Sequence, residues 1–238
     1  MPSRYNGSTL VAFTDISGFK KMMRKDSNVA YQKMRAFYNI GYTSLFGHHQ
    51  LKPYVEGLFF SDCGILFVRD GTPQNQINNL LNIIKQINRE ILKERIMLTT
   101  SIAYGEFSFA NLKVHNNIQK TPIYGRGYLN AYLNAEVWSP KMEPGQCRIT
   151  LKELPNEYKK HFENNEFCIR RGSLKLQTIS SKYDNDYLYY YWMLDKSSGI
   201  KNFEERYTES YKYIKRCKYL EMLKVLQDAC KFSTRKIP

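Results

Sequence analysis

Residues 10–19 read LVAFTDISGF, a short apolar run that ends in an acid and a turn of small residues. The run Leu10 to Thr14 predicts a buried β-strand, because it is short and apolar almost throughout. Asp15 follows at the end of this strand, where an ionised carboxylate requires a partner. Ser17 and Gly18 then open a helix whose first N–H groups can bind an anion. The pattern favours a metal–phosphate site, and a simple helix cap at Asp15 is the alternative.

A second acid lies in the turn of a predicted hairpin. Residues 52–60 and 64–69 read as two strands that are joined across residues 61–63. In a βαββ arrangement this hairpin lies beside the first strand, which brings Asp62 near Asp15. Two close carboxylates repel each other unless a divalent cation lies between them, and such a pair is the basis of two-metal phosphoryl chemistry. An Asp in a hairpin loop is also common for structural reasons alone.

The order of the remaining elements indicates the fold class. A long helical stretch is expected from the Ser-Gly turn to about Gly47, and a later helix, capped by Thr72, has its apolar residues on one face. Further strands are predicted at 97–105, 147–150 and 187–194, and further helices at 128–138, 155–162 and 202–232. The order βαββαβ, followed by more helices and strands, predicts an α+β fold with helices on one side of a mainly antiparallel sheet.

Length and composition exclude several classes of protein. The chain has 238 residues, enough for a full hydrophobic core, and 42% of them are apolar, which argues against global disorder. Its five Cys include no CxxC pair, so neither a disulfide framework nor a zinc ribbon is indicated. No apolar run approaches the ~18 residues needed to cross a bilayer, and the N-terminus lacks a signal-peptide core. We therefore expect a cytoplasmic protein with no membrane partner.

The chain is strongly basic, with a formal net charge of +14 from 36 Lys and Arg against 22 Asp and Glu. The basic residues are scattered, and no block of five consecutive Lys or Arg occurs, as it does in a nucleic-acid-binding tail. The same charge would concentrate a small polyphosphate substrate near the surface. Nucleic acid is therefore the less favoured partner, and the charge alone selects no function.

Several motifs together resemble the class III nucleotidyl cyclases. Phe13-x-Asp-Ile-x-Gly-Phe19 is similar to their first metal-binding motif, and Ser61-Asp62 to their second, with Ser in place of the usual Gly. Residues 100–105 resemble the strand that closes the catalytic core, and Tyr124-Gly-Arg-Gly127 resembles the glycine turn before the next helix. The likeness extends in order and spacing over about residues 8–195, which we assign as a catalytic domain. Residues 199–238 would then form a basic helical extension.

The resemblance implies a ferredoxin-like core and a head-to-tail homodimer with its active sites at the interface. Asp15, Asp62 and the carbonyl of Ile16 would hold two divalent cations, Mn²⁺ or Mg²⁺. The triphosphate would be bound by the backbone N–H groups of Ser17, Gly18 and Phe19, with Lys175 as a candidate phosphate-binding side chain. The 3′-hydroxyl of the nucleotide would attack the α-phosphorus, and pyrophosphate would leave.

Departures from the family pattern concern the base and the transition state. The two positions that read a purine in this class are occupied here by Leu58 and Pro122, which offer no base-specific polar contact. Two further family positions, an Asn and an Arg on the later helix, correspond to Leu129 and Leu133. Asn130 and Arg126 are the candidates to replace them in stabilising the transition state.

A compact cyclase without purine-reading residues looks most like the pyrimidine cyclases of Pycsar antiphage defence. The resemblance implies conversion of UTP to 3′,5′-cyclic UMP, a second messenger for a separate effector protein. Conversion of CTP to cyclic CMP is the first alternative. An adenylyl cyclase and a non-catalytic module that binds a nucleotide or nucleic acid are the others.

Overall fold

The computed structural model describes residues 4–48, 54–110, 112–115, 118–174, 186–213 and 215–231. The strands are β1 (Arg4–Ile16), β2 (Val55–Phe60), β3 (Cys63–Val68), β4 (Leu98–Ala110), β5 (Leu112–His115), β6 (Ile118–Lys120), β7 (Ile123–Tyr124), β8 (Cys147–Thr150), β9 (Cys168–Ile169) and β10 (Tyr187–Tyr190). The helices are α1 (Phe19–Lys25), α2 (Ser27–His48), α3 (Pro73–Lys93), α4 (Arg126–Glu136), α5 (Asn156–Glu163), α6 (Ile200–Glu209) and α7 (Lys215–Ala229).

Eight of the strands form one sheet in the order β2-β3-β1-β4-β8-β10-β9, with β7 also paired to β4. The part β4-β1-β3-β2 has the ferredoxin-like order, and its neighbouring strands are all antiparallel. β1 pairs with β4 over its whole length, from Arg4 opposite Ala110 to Ile16 opposite Leu98. β8 then joins β4 in parallel. The α+β fold with a mainly antiparallel sheet is therefore confirmed.

The alternation of side chains along β1 divides the core into two parts. One face of the strand contributes to a large apolar cluster that also contains the inner residues of α2 and α3, and its β1 members are Leu10, Ala12 and Ile16. The opposite face contributes Val11 and Phe13 to a smaller cluster, which includes Ala131 of α4. Helices therefore cover both faces of the sheet, whereas the sequence pattern predicted them on one.

Close backbone packing allows α4 to lie on this second face. Gly127 lies in its first turn, where a Cβ would come within 3.0 Å of the carbonyl oxygen of Gly105 in β4. Gly125 has a φ of 120°, and a Cβ there would come within 2.3 Å of the carbonyl oxygen of Glu106. Any side chain at these positions would push the helix away from the strand.

Caps and turns divide two of the predicted elements. The long first helix is interrupted at Asp26, whose Oδ1 accepts hydrogen bonds from the backbone N–H groups of Asn28 and Val29 at 3.0 and 3.1 Å. The predicted cap of α3 is confirmed, because Thr72 Oγ1 accepts from Asn75 N at 3.4 Å. The last predicted strand is shorter than expected and ends at Tyr190, before a turn at Trp192.

The C-terminal segment forms two helices instead of the single predicted one, with a short 3₁₀ turn after α6. Both helices contribute to the main core, through residues such as Phe203 of α6 and Leu226 of α7. Arg171 and Glu204 form a buried ion pair at 2.9 Å that ties α6 to the 3₁₀ turn after β9. The division into a catalytic domain and an extension stays a prediction. Among the described residues, no helix is long and apolar enough to cross a membrane.

Candidate active site

Asp15 lies at the end of β1, on the face of the sheet that α4 covers. Its register partners are Cys63 on β3 and Thr99 on β4, and its side chain is half-buried. The next residue fixes this end of the strand, since Ile16 N donates a hydrogen bond to the carbonyl oxygen of Asp62 at 2.9 Å. The structure therefore brings the two acids of the sequence pattern together, as the βαββ arrangement predicted.

Asp62 occupies the two-residue turn between β2 and β3, where its carboxylate is oriented by its neighbour. Ser61 Oγ donates to Asp62 Oδ1 at 3.0 Å. Ser61 itself has a φ of 52°, in the left-handed region that favours glycine. This conformation gives a physical reason for a Gly to be usual at this position in the cyclase motif.

The electrostatic environment of Asp15 is that of an acid without a compensating cation. Burial raises the pKa of Asp15 to about 8, and the charges of Asp62 and Glu136 add to the effect. Burial and the same three carboxylates raise the pKa of the Cys63 thiol to about 12. Asp15 and Cys63, whose charged forms are disfavoured, therefore share one small region with the carboxylates of Asp62 and Glu136.

A divalent cation fits this set of oxygen donors. Mg²⁺ is commonly held by one or two carboxylates, with water and substrate phosphates as its other ligands. Within the described ranges, no group of three His, Cys, Asp or Glu side chains is arranged to hold a metal by itself. The carboxylates of Asp15 and Asp62 would thus need the Ile16 carbonyl and the substrate to complete a coordination shell. The hydroxyl of Ser17 is buried, has no hydrogen-bond partner within the described part of the chain, and lies at the same strand end.

Only some of the backbone N–H groups that were predicted to bind the triphosphate can do so. Ser17 N donates to the carbonyl oxygen of Met97 at 2.9 Å, so this amide serves the sheet and not a phosphate. Gly18 has a φ of 79° and a Cβ there would meet nothing within 4 Å, so glycine is favoured for its backbone conformation and not for space. Since α1 has seven residues, its dipole is weak, and anion binding would depend on the local amides of Gly18 and Phe19.

The two residues at the base-reading positions lie on different parts of the sheet. Leu58 is in β2 and packs against the smaller apolar cluster. Pro122 is exposed and directly precedes β7. Three strands, β3, β1 and β4, lie between β2 and β7 in the order of the sheet. The chain therefore does not place these residues on neighbouring strands.

The transition-state candidates contact other groups of their own chain. Arg126, at the start of α4, forms an exposed ion pair with Glu106 at 3.7 Å. Asn130 is buried, and its Nδ2 donates to Glu153 Oε2 at 3.0 Å. Neither residue contacts the carboxylates of Asp15 or Asp62 in these interactions. Lys175, the candidate phosphate-binding side chain, lies outside the described residues.

Asp15, Asp62, Glu136 and Cys63 form an acidic cluster, and the sequence pattern had assigned no role to Glu136 or Cys63. Glu136 reaches Asp15 because α4 crosses the sheet on the same side as that carboxylate, which periodicity alone does not reveal. Cys63 had a sequence signal, since it directly follows Asp62 and must share its turn. Both residues bear on how a cation would be held there.

Solved structures of adenylyl and guanylyl cyclases have the same fold. The adenylyl cyclase CyaB from P. aeruginosa matches with a TM-score of 0.51 at 15% identity, over 79% of this chain and 95% of that one. The catalytic core of a rhodopsin-guanylyl cyclase with converted specificity, in complex with ATPalphaS, matches with a TM-score of 0.51 at 14% identity, over 80% and 98%. A bacterial light-regulated adenylyl cyclase matches with a TM-score of 0.53 at 11% identity, over 97% and 60%.

These likenesses define the class of fold, which is that of the class III nucleotidyl cyclase core. At 11 to 15% identity these likenesses establish the fold of this chain but not its substrate. No protein-family model matches the sequence, and no curated protein matches it significantly.

Proposed function

We propose that this chain is a nucleotidyl cyclase that converts a nucleoside triphosphate to a 3′,5′-cyclic nucleotide and pyrophosphate. The observation that carries the proposal is the meeting of Asp15 and Asp62 at the end of β1. Ile16 N is bonded to the Asp62 carbonyl oxygen there, and the Asp62 charge contributes to the raised pKa of Asp15. Two acids that are held close together in a half-buried position lower the stability of the protein. Bound cations would neutralise their charges, which gives a functional reason for the arrangement.

In the proposed reaction the protein positions groups and stabilises charge. The carboxylates of Asp15 and Asp62 would hold two divalent cations, Mn²⁺ or Mg²⁺, with the Ile16 carbonyl as a further ligand. Bound cations of this kind lower the pKa of an attacking hydroxyl and neutralise phosphate charge. The strand end is held rigidly by the backbone bonds of Ile16 and Ser17, so that both carboxylates are pre-organised. Gly18 and Phe19 would donate N–H groups to phosphate oxygens.

A second copy of the chain would complete the site. In one chain Arg126 pairs with Glu106 and Asn130 with Glu153, away from Asp15 and Asp62. Large apolar side chains are exposed on and near α4 and at the hairpin end, namely Phe60, Tyr124, Leu129, Tyr132 and Val137. A partner packed on this face would bury them and bring its own Arg126, which is exposed, towards Asp15. We therefore propose a homodimer with shared active sites.

The proposed substrate is UTP, with CTP as the alternative. Leu58 and Pro122 carry no hydrogen-bonding side chain, so the two positions that select purines in this class cannot do so here. The product, cyclic UMP, would serve as a second messenger for a separate effector in antiphage defence, in the cytoplasm.

The test is to incubate the purified protein with Mn²⁺ and each of the four ribonucleoside triphosphates separately, and to identify the products by mass. We expect a cyclic monophosphate and pyrophosphate from UTP, or from CTP at a lower rate. Preferential turnover of ATP would contradict the pyrimidine assignment and support an adenylyl cyclase. Absence of any cyclic product with all four would contradict the enzymatic proposal.

A second candidate function is a non-catalytic nucleotide-binding module. It is favoured by one observation, the inward orientation of Asn130 and Asn134 on α4, where Asn134 Nδ2 donates to Ser101 Oγ at 2.7 Å. The same experiment separates the two functions, because a binding module would retain Mn²⁺-dependent nucleotide binding without forming product.

A further inference from the structure

A cavity of about 730 Å³ lies between the end of α4 and the paired strands β8 and β10. Its lining comes from residues 137–139, 150–152 and 186–187, together with Lys159 of α5. The volume is in the range of ~300–1,000 Å³ that small-molecule sites occupy. The cavity lies over β8, two strands away from β1, and the two sites approach each other only at the end of α4, where Glu136 precedes Val137.

The cavity has an excess of positive charge. Lys152 and Lys159 both line it, against one described lining acid, the exposed Asp186. A third cation lies behind its wall, where the guanidinium carbon of Arg148 is 4.4 Å from the centroid of the Tyr187 ring. The cavity therefore favours a ligand with an anionic group.

Arg148 is a fully buried cation, and none of the ion pairs among the described residues includes it. Its guanidinium donates to the backbone carbonyl oxygens of Pro140, at 2.6 Å, and of Asn134. Its Nε is buried without a hydrogen-bond partner, and no ion pair joins it to an acid of the described residues. Such a charge is costly in a protein interior, and an anion bound in the adjacent cavity would offset part of this cost.

The cavity also presents aromatic surface. Trp138 and Tyr187 both line it, and Lys152 Nζ lies 5.4 Å from the centroid of the Trp138 ring. Aromatic side chains of this kind stack on nucleobases, while neighbouring Lys residues bind phosphate. Thr150 adds a hydroxyl group that can donate or accept a hydrogen bond.

We propose that this cavity binds a mononucleotide, with the base stacked against Trp138 and the phosphate bound by Lys152 and Lys159. Each part of the ligand matches a feature of the wall: the planar base matches the partly exposed indole of Trp138, and the anionic phosphate matches the excess of cations. This binding requires no divalent cation, which distinguishes it from binding at Asp15 and Asp62. It is also independent of whether the chain turns over its nucleotide.

Tryptophan fluorescence provides a direct measurement. The chain has two Trp residues, and Trp192 is buried, with its indole N–H bonded to the carbonyl oxygen of Gly145 at 2.8 Å. Trp138 is therefore the residue that an added nucleotide can quench. The protein would be titrated in EDTA with UMP, AMP, 3′,5′-cyclic UMP, UTP and inorganic phosphate, and calorimetry would follow the same titrations in the Trp138→Phe variant.

We expect saturable quenching by the nucleotides and weak or no binding of inorganic phosphate. Lys159→Glu should weaken nucleotide binding by about tenfold or more, equivalent to ~1.4 kcal/mol. The matched control is Lys160→Glu, which makes the same change of charge at the next residue of α5, an exposed position outside the cavity lining. This variant should change the affinity less than about threefold. Circular dichroism would establish that both variants are folded.

Several results would overturn the assignment. One is the absence of saturable quenching and of binding heat for every nucleotide up to roughly 5 mM. If Lys159→Glu and Lys160→Glu weakened nucleotide binding equally, the loss would reflect the overall charge of the protein and not a contact in the cavity. Binding that requires Mn²⁺ and is lost in Asp15→Asn would place the nucleotide at the acidic cluster. Much tighter, salt-sensitive binding of single-stranded RNA would assign the surface to nucleic acid instead.

Discussion

Both faces of β1 bury apolar side chains, but they differ at the end of the strand, where one face carries Ile16 and the other Asp15. One face buries Leu10, Ala12 and Ile16 in the large apolar cluster with α2 and α3. The other face ends in Asp15, half-buried beside Asp62, with its pKa raised. Apolar burial on the first face stabilises the fold, whereas the paired acids on the second are unfavourable for stability. The comparison teaches that the alternation of side chains at the end of this strand places an apolar residue on one face and the proposed chemistry on the other.

The largest expected effect is on the acidic face. Asp15→Asn removes one of the two charges that would hold the cations, so turnover with Mn²⁺ should fall at least about 100-fold. The free energy of unfolding in EDTA at neutral pH should stay equal or increase, because folding raises the pKa of Asp15 to about 8 and thereby disfavours a carboxylate that the unfolded chain leaves ionised. Product formation measured by mass and chemical denaturation would check both. Asp70→Asn, an exposed acid in the turn after β3, is the matched control and should leave both values unchanged.

The next effect tests whether the acidic face is completed by a second chain. Arg126→Ala should lower turnover about tenfold or more, because the proposed site lacks its cation. A mixture of Asp15→Asn and Arg126→Ala chains should then regain about one quarter of the wild-type rate, since half of the dimers have one intact site in two. The rate would be measured before and after subunit exchange. An unchanged, low rate after exchange would show that the site lies within one chain.

On the apolar face the expected effect is on stability alone. Leu10→Ala should reduce the free energy of unfolding by about 2–5 kcal/mol, because the side chain is fully buried in the large cluster. Turnover per folded molecule at low temperature should stay within about twofold of the wild-type value. Denaturant unfolding and a rate assay check the two values. Met23→Ala, at an exposed position of α1, should cost less than about 0.5 kcal/mol. If turnover per folded molecule in Leu10→Ala fell together with the free energy of unfolding, the two faces of the strand would not have separate roles.

The smallest effect concerns the turn that holds Asp62. Ser61→Gly relieves the left-handed conformation at φ 52° but removes the hydrogen bond from Ser61 Oγ to Asp62. We expect a stability change within about 1 kcal/mol and retained turnover, because the backbone gain and the lost bond offset each other. Ser61→Ala loses the bond without relieving the backbone, so it should be the less stable variant in thermal unfolding. The opposite order would show that the left-handed backbone at position 61 does not favour glycine, since both variants lack the hydroxyl.

Much of the fold could be predicted from the sequence, because it depends on local patterns. The stripe of α3, its cap at Thr72 and the hairpin around Asp62 follow from periodicity and turn chemistry, and the structure confirms them. The meeting of Asp15 with Asp62 also followed, from the βαββ order. The break of the first helix at Asp26 had a local signal as well, since an Asp before Ser27 is a typical cap.

The rest depends on tertiary contacts that no local pattern encodes. Glu136 enters the acidic cluster because Gly125 and Gly127 let α4 pack closely on β4. The backbone N–H of Ser17 donates to the carbonyl oxygen of Met97. The sequence motif, which predicts that this N–H binds phosphate, does not reveal this bond. The end of β10 before Trp192 is fixed by a bond from the indole to Gly145, 47 residues away in the chain.

The binding of Mn²⁺ to the protein, measured by electron paramagnetic resonance, tests most directly whether the two acids act as one site. Wild-type protein would be compared with Asp15→Asn, Asp62→Asn and the double variant. The account predicts saturable binding that either single substitution abolishes, with no further loss in the double variant, because the two carboxylates share their cations. Wild-type affinity in either single variant, or losses that add independently in the double variant, would contradict it.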